Sequence, residues 1–92
     1  MIFEWDDNKN RINKQKHGVS FETASRIFLD PFLIVTEDTA HNEVRWLGVG
    51  SVDGVVVLLV VHTHTDTDGT EVIRIISARK LSKGEIERYG YC

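Results

Sequence analysis

A change of hydrophobic period near residue 32 divides this 92-residue chain into a helical part and a strand part. Before it, Phe21, Ala24, Ile27 and Phe28 recur at helical spacing behind Ser20, a good N-cap, and Asp30-Pro31 must end that helix. An earlier helix is expected over Asn8 to Lys16, capped by Asp6 or Asp7 and terminated by Gly18 in the left-handed region. Beyond the divide, Phe32–Thr36, Glu43–Val52, Val55–His62 and Val72–Arg79 are rich in Val, Ile and aromatics. Asp53-Gly54 between two of these runs is a tight-hairpin signal, and Asp68-Gly69 is a second turn. The unbroken Val55 to Val61 reads as a central strand covered on both faces. With a short strand over Ile2 to Trp5 and a capping box at Ser82-Lys83-Gly84-Glu85 opening a helix toward Tyr89, the order is strand, two helices, four strands, helix. That order predicts an α+β fold in one domain over residues 1–92. An antiparallel meander would pack with two N-terminal helices and one C-terminal helix.

The composition narrows the function classes. The longest apolar run, Val55 to Val61, is far short of the ~20 residues that span a bilayer, and the acidic N-terminus does not suit a signal peptide. One cysteine, Cys92, excludes an intrachain disulfide and a thiolate zinc site, so a cytoplasmic setting is expected. The net charge of −3 argues against a nucleic-acid partner only as an average. Residues 1–30 hold five basic and five acidic side chains, residues 31–71 one and seven, and residues 72–92 five and two. Cations therefore gather in the N-terminal helices and in the last strand and helix, which permits a local cationic groove.

Within those cationic segments, Arg74 lies between Ile73 and Ile75, where a guanidinium wants a carboxylate or a phosphate. Strict alternation puts Arg74 with Val72, Ile76 and Ala78, and Arg79 with Ile73, Ile75 and Ser77. Glu43 and Arg45 share a face of their strand. Ordinary ion pairs account for such charges in most strands. Phosphodiester cleavage is the sharper reading, because it needs a base, an acid and fixed cations where charge develops on phosphorus. Glu43 or His17 suits the proton transfer, and Lys16, Arg45, Arg74 and Arg79 suit the charge. Trp5 could stack on a base, whereas Trp46 is expected in the core. His62, His64 and Asp66 form a His-x-His-x-Asp run like that of metallo-β-lactamase-like hydrolases, but the next position is Thr67 rather than His, no other ligand cluster appears except His41, and no metal or other cofactor is expected.

Taken in order, Phe3-Glu4-Trp5-Asp6, Lys9-Asn10, Asn13, Lys16-His17-Gly18-Val19-Ser20-Phe21, Ala24, Phe28-Leu29-Asp30-Pro31, Glu43-Val44-Arg45 and Arg74-Ile75-Ile76-Ser77-Ala78-Arg79, with Glu85 and Tyr89, resemble the BrnT family of bacterial toxins. The resemblance implies a RelE-like ribonuclease fold and a type II toxin–antitoxin system. It further implies inhibition of translation by RNA cleavage, and neutralisation by a BrnA-like antitoxin of the ribbon-helix-helix kind that alone contacts DNA. The matching positions carrying that expectation are Lys16, His17, Glu43, Arg45, Arg74 and Arg79 for catalysis and Trp5 and Tyr89 for substrate binding. A module that grips RNA or protein without chemistry would use the same arginines, and a metal hydrolase would use His62, His64 and Asp66.

Overall fold

In the computed structural model, which describes residues 1–39 and 43–90, five strands form one mixed sheet in the order β1-β5-β4-β3-β2. Cys92 and His41 fall outside the described residues. The strands are β1 (Ile2–Glu4), β2 (Ile34–Asp38), β3 (Arg45–Val52), β4 (Val56–Thr67) and β5 (Thr70–Lys80). The helices are α1 (Asp7–His17), α2 (Phe21–Ala24) and α3 (Lys83–Arg88), with a 3-10 helix over Ser25–Leu29 directly after α2. No helix among the described residues is long and apolar enough to cross a membrane.

Local chemistry explains most of these boundaries. The Asp6 carboxylate accepts from the Lys9 amide at 3.0 Å and begins α1, and Gly18 at φ 71° ends it, donating to the Lys14 carbonyl. Ser20 caps α2, and the Ser82–Glu85 capping box starts α3. Asp53 and Asp68, each followed by glycine, both take positive φ, so β3–β4 and β4–β5 are closed by tight turns of mirror-image type. Asp30 stops the 3-10 helix by accepting from the amides of Phe32 at 2.9 Å and Ser51 at 2.7 Å, which ties the helix end to β3.

Three expectations need correction. The sheet is not all antiparallel: β1 runs parallel to β5, Phe3 opposite Ile73, because the first strand is joined to its partner only through the rest of the chain. The helix after Ser20 tightens to 3-10 geometry as its backbone closes on β3; a Cβ at Gly50 would stand 3.1 Å from the Cβ of Ile27 and 3.2 Å from the Ile27 carbonyl. Finally, β4 does not stop at His62 but runs to Thr67, and it is covered by helices on one face only.

The helix-covered face holds the core: Phe21, Ala24 and Ile27 lie against Leu58, Val60, Ile73, Ile75 and Ala78, with Phe3, Trp5, Phe28 and Leu33 packed around them. Full burial of Phe21 or Ile27 contributes ~1.5–3 kcal/mol each. His62 belongs to this core as well, edge-on to Phe28 with ring centroids 5.0 Å apart. On the other face Val57, Leu59 and Val61 are half-buried.

Candidate functional site

The site begins with α1, a mostly polar helix that lies along the edge of β5 and buries Asn13 there. The Asn13 amide does the work of a neighbouring strand. Its Nδ2 donates to the carbonyls of Ala78 at 2.8 Å and Val19 at 2.9 Å, and its Oδ1 accepts from the Ala78 amide at 3.2 Å. Lys9, Asn13 and Lys16 are spaced i, i+4 and i+7, so fixing Asn13 turns both lysines toward the same strand. The result is a 220 Å³ groove lined by Lys9, Ile12, Asn13, Lys16, His17, Ile76 and Ser77. Lys16 and His17 are exposed at the C-terminal end of α1, where the helix dipole favours positive charge.

A β-bulge decides what else faces this groove. Val60 pairs with Ala78 and Val61 with Ser77, but His62 pairs with Ile75, leaving Ile76 as the extra residue on β5. Alternation therefore inverts at Ile76. Ile73, Ile75 and Ala78 all enter the core, and Arg74, Ser77 and Arg79 all stand on the opposite face. Strict alternation along the sequence had set Arg74 and Arg79 on opposite faces, and the bulge removes that separation. Arg79 is two residues from Ser77, ~7 Å along the strand.

The arginines are held by carboxylates. Arg79 makes a bidentate pair with Glu85 of α3 at 2.8 and 2.9 Å and also donates to the Lys80 carbonyl at 3.3 Å, which leaves Nε–H and one Nη2–H uncommitted to these partners. The Glu85 bonds raise the Arg79 pKa, while Arg79, followed by the Ser82 amide, holds Glu85 down at about 2. Tyr89, half-buried at the end of α3, adds to the field that keeps Arg79 charged. Arg74 reaches Glu4 at 3.5 Å, and Arg45 bonds Glu43 at 2.7 Å.

These placements sort the sequence-derived candidates into two clusters. Lys9, Lys16 and His17 line the groove with Ser77, and Arg79 stands outside that lining, two residues further along β5 on the same side as Ser77, with Glu85 and the field of Tyr89 beside it. Arg74 is paired with Thr63 and Glu4, and Arg45 with Asp38, in one row a single step beyond the Trp46–His62 pair, with Glu43 attached to Arg45. The row is four β4 residues from Leu59, the partner of Arg79, hence ~13 Å away. The two candidate bases are thus apart, His17 in the groove and Glu43 on the β3 side. Trp5 packs edge-on to Phe21 at 6.2 Å against the core rather than lying open on the groove, and Trp46 faces the core side beside His62. His62 has no normal hydrogen bond at either ring nitrogen, and among the described residues no three metal-ligating side chains converge.

Lys9 and Ser77 stand in the BrnT-like motifs but are not among the candidate residues, and the structure adds them to the site. Lys9 was legible as the i−7 partner of Lys16; Ser77 was not, because only the bulge brings it to this face.

The profile of the family described as "Ribonuclease toxin, BrnT, of type II toxin-antitoxin system" matches residues 5–85. The chain belongs to the BrnT family. The BrnT family is one of ribonuclease toxins, and its members by class have an antitoxin partner. Among solved structures, the ribonuclease toxin BrnT of Brucella abortus superposes with a TM-score of 0.67 at 23% identity, covering 90% of this chain and 100% of that one, which shows a shared fold. No curated protein matches the chain. All the BrnT-like candidate positions except Tyr89 fall inside the matched span.

Proposed function

We propose that this BrnT-family chain is one domain of RelE-like fold that cleaves RNA by metal-independent transesterification in the groove between α1 and β5. The observation that carries the reading is the bulge at Ile76, which puts Arg79 on the same side of β5 as Ser77, the residue that lines the groove with Lys16 and His17. His17 takes the proton of the ribose 2′-hydroxyl as that oxygen attacks phosphorus. The bond to the 5′-oxygen breaks, and the departing oxygen takes a proton from the Lys16 ammonium, leaving a 2′,3′-cyclic phosphate. The free Nε–H and Nη2–H of Arg79, oriented by Glu85, stabilise the charge that grows on the phosphorane. Arg74, with Arg45 and Glu43 across the sheet, grips the substrate strand further along, and Tyr89 supports Arg79.

The chain acts in the cytoplasm, and its partner is a BrnA-like ribbon-helix-helix antitoxin through which alone DNA is reached. An acidic helix or tail of that antitoxin masks the cationic groove, so that part of the encounter weakens with salt. One observation favours a non-catalytic RNA-binding module instead: Arg45, Arg74 and Arg79 each already hold a carboxylate, as structural arginines do. Incubating the purified chain with RNA in EDTA separates the two. Cleavage with cyclic phosphate ends supports the ribonuclease reading, and intact RNA overturns it.

A further inference from the structure

The two edges of the sheet are treated differently. On the β5 side the outermost strand, β1, is only three residues long and covers residues 72–74 of β5, and the Asn13 amide occupies the backbone of Ala78. At the other edge, among the described residues, β2 is bonded to β3 alone in the sheet, with no bulge between them and no proline or lysine in Ile34–Asp38. An unshielded edge is a template for an added strand. The stretch leading into it also exposes apolar side chains at intervals of three: Leu29 is 80% exposed, Phe32 77% and Val35 43%. Leu29 and Phe32 line one surface pocket with Arg26 and Ser51, and Val35 lines another on β2; large side chains this open, next to an edge strand, mark an interaction surface.

Charge selects the occupant. Glu37 is exposed on β2, Asp38 follows it and Glu43 begins the next segment, and from residue 31 to residue 71 Arg45 is the one basic side chain among seven acids. A second copy of this chain would bring the same acids to the seam, so self-pairing is disfavoured; a basic strand gains from them.

We infer that β2, with Leu29 and Phe32 beside it, is the docking edge for an extended, basic, apolar-alternating segment of the antitoxin, which adds as a sixth strand. Main-chain hydrogen bonds supply part of the affinity, and Glu37 and the exposed apolar side chains set the register. The inference rests on the toxin–antitoxin reading. It places a second anchor at the opposite edge of the sheet from the α1–β5 groove, so this anchor holds the partner without itself covering Lys16 or His17.

The test is hydrogen–deuterium exchange on the full chain, alone and in complex with the antitoxin co-expressed from the adjacent reading frame. Outward-pointing amides of Val35–Glu37 should slow at least ~10-fold in the complex. E37K should weaken the complex about tenfold and L29S by a similar factor, with RNA cleavage unchanged in both. A complex that rescues growth yet leaves β2 exchange and both affinities unaltered overturns this inference alone. A free chain that dimerises through β2 likewise overturns it. If the co-expressed protein neither binds nor rescues growth, the toxin–antitoxin reading fails with it.

Discussion

His62 makes the fold sensitive to mild acid. Its side chain is 2% exposed, neither ring nitrogen has a normal hydrogen bond, and its pKa is lowered to about 4, mainly by desolvation, against an opposing pull from the Thr63 backbone and with a smaller lowering from His64. In the unfolded chain the same imidazole titrates near its ordinary ~6.5. Between those values the unfolded state binds the extra proton, so stability is fully present above ~6.5 and falls as pH drops toward about 4. A tenfold difference in proton affinity corresponds to ~1.4 kcal/mol, so lowering pH from 7 to 5 should cost about 2 kcal/mol through this one residue. For a chain of this size that is a fall in Tm on the order of 10 °C. The assay is urea unfolding at pH 7 and pH 5 for the wild type and for His62→Leu, which keeps the volume and removes the titration. The variant should lose about 2 kcal/mol less than the wild type between the two pH values. Equal losses in both proteins would show that His62 is not buried and neutral in the folded state.

Other expectations follow from the same structure. Asn13→Ala deletes three buried hydrogen bonds at the β5 edge and should destabilise by ~2–4 kcal/mol in chemical denaturation; a change below ~0.5 kcal/mol would mean that Asn13 does not hold α1 on the strand. Gly50→Ala should cost ~1–3 kcal/mol, because the new methyl meets the Ile27 backbone and Cβ, and an unchanged unfolding midpoint would contradict that close approach. Arg79→Ala should slow RNA cleavage by about 10²–10³ while the protein stays folded, and wild-type cleavage would remove Arg79 from the site. Glu85→Gln should lower the same rate more mildly and, because its carboxylate titrates well below the usual range, should also remove stability that the wild type loses only as pH falls from about 4.5 toward 2.

Much of the local structure was legible in the residues themselves. The Asp-Gly turns, the Ser20 and Ser82 caps, Gly18 and the Asp30-Pro31 stop are decided by side chains acting on backbone within three or four positions, which a single sequence displays. The central place of β4 followed from its unbroken apolar run, although its second face proved only half-covered. What depended on distant partners was not legible. Alternation cannot show the direction of β1, since Ile2, Phe3 and Glu4 alternate equally well in a parallel or antiparallel ladder. Nor can it show a bulge: Ile75-Ile76 reads as an ordinary apolar pair until His62 takes Ile75 as its partner. That one inserted residue reassigns Arg74 relative to Arg79, and with it the layout of the candidate site. Arg74 is not embedded between its isoleucine neighbours but exposed on the other side of the sheet, and Glu4 is its surface partner at 3.5 Å. Separating His17 from Glu43 as candidate bases required knowing that α1 lies on β5 while Glu43 pairs with Arg45 on β3.

If proton transfer and phosphate charge meet at His17, Lys16 and Arg79 in the α1–β5 groove, the pH dependence of cleavage must follow His17. The most direct test is the single-turnover rate of RNA cleavage in EDTA as a function of pH for the wild type, His17→Ala and Glu43→Gln, each verified as folded. The expected result is an ascending limb that persists in Glu43→Gln and disappears in His17→Ala, together with a rate loss of about 10²–10⁴ in the histidine variant. The opposite pattern, with the limb retained without His17 and lost without Glu43, would move the chemistry to the Arg45–Arg74 row and contradict the groove.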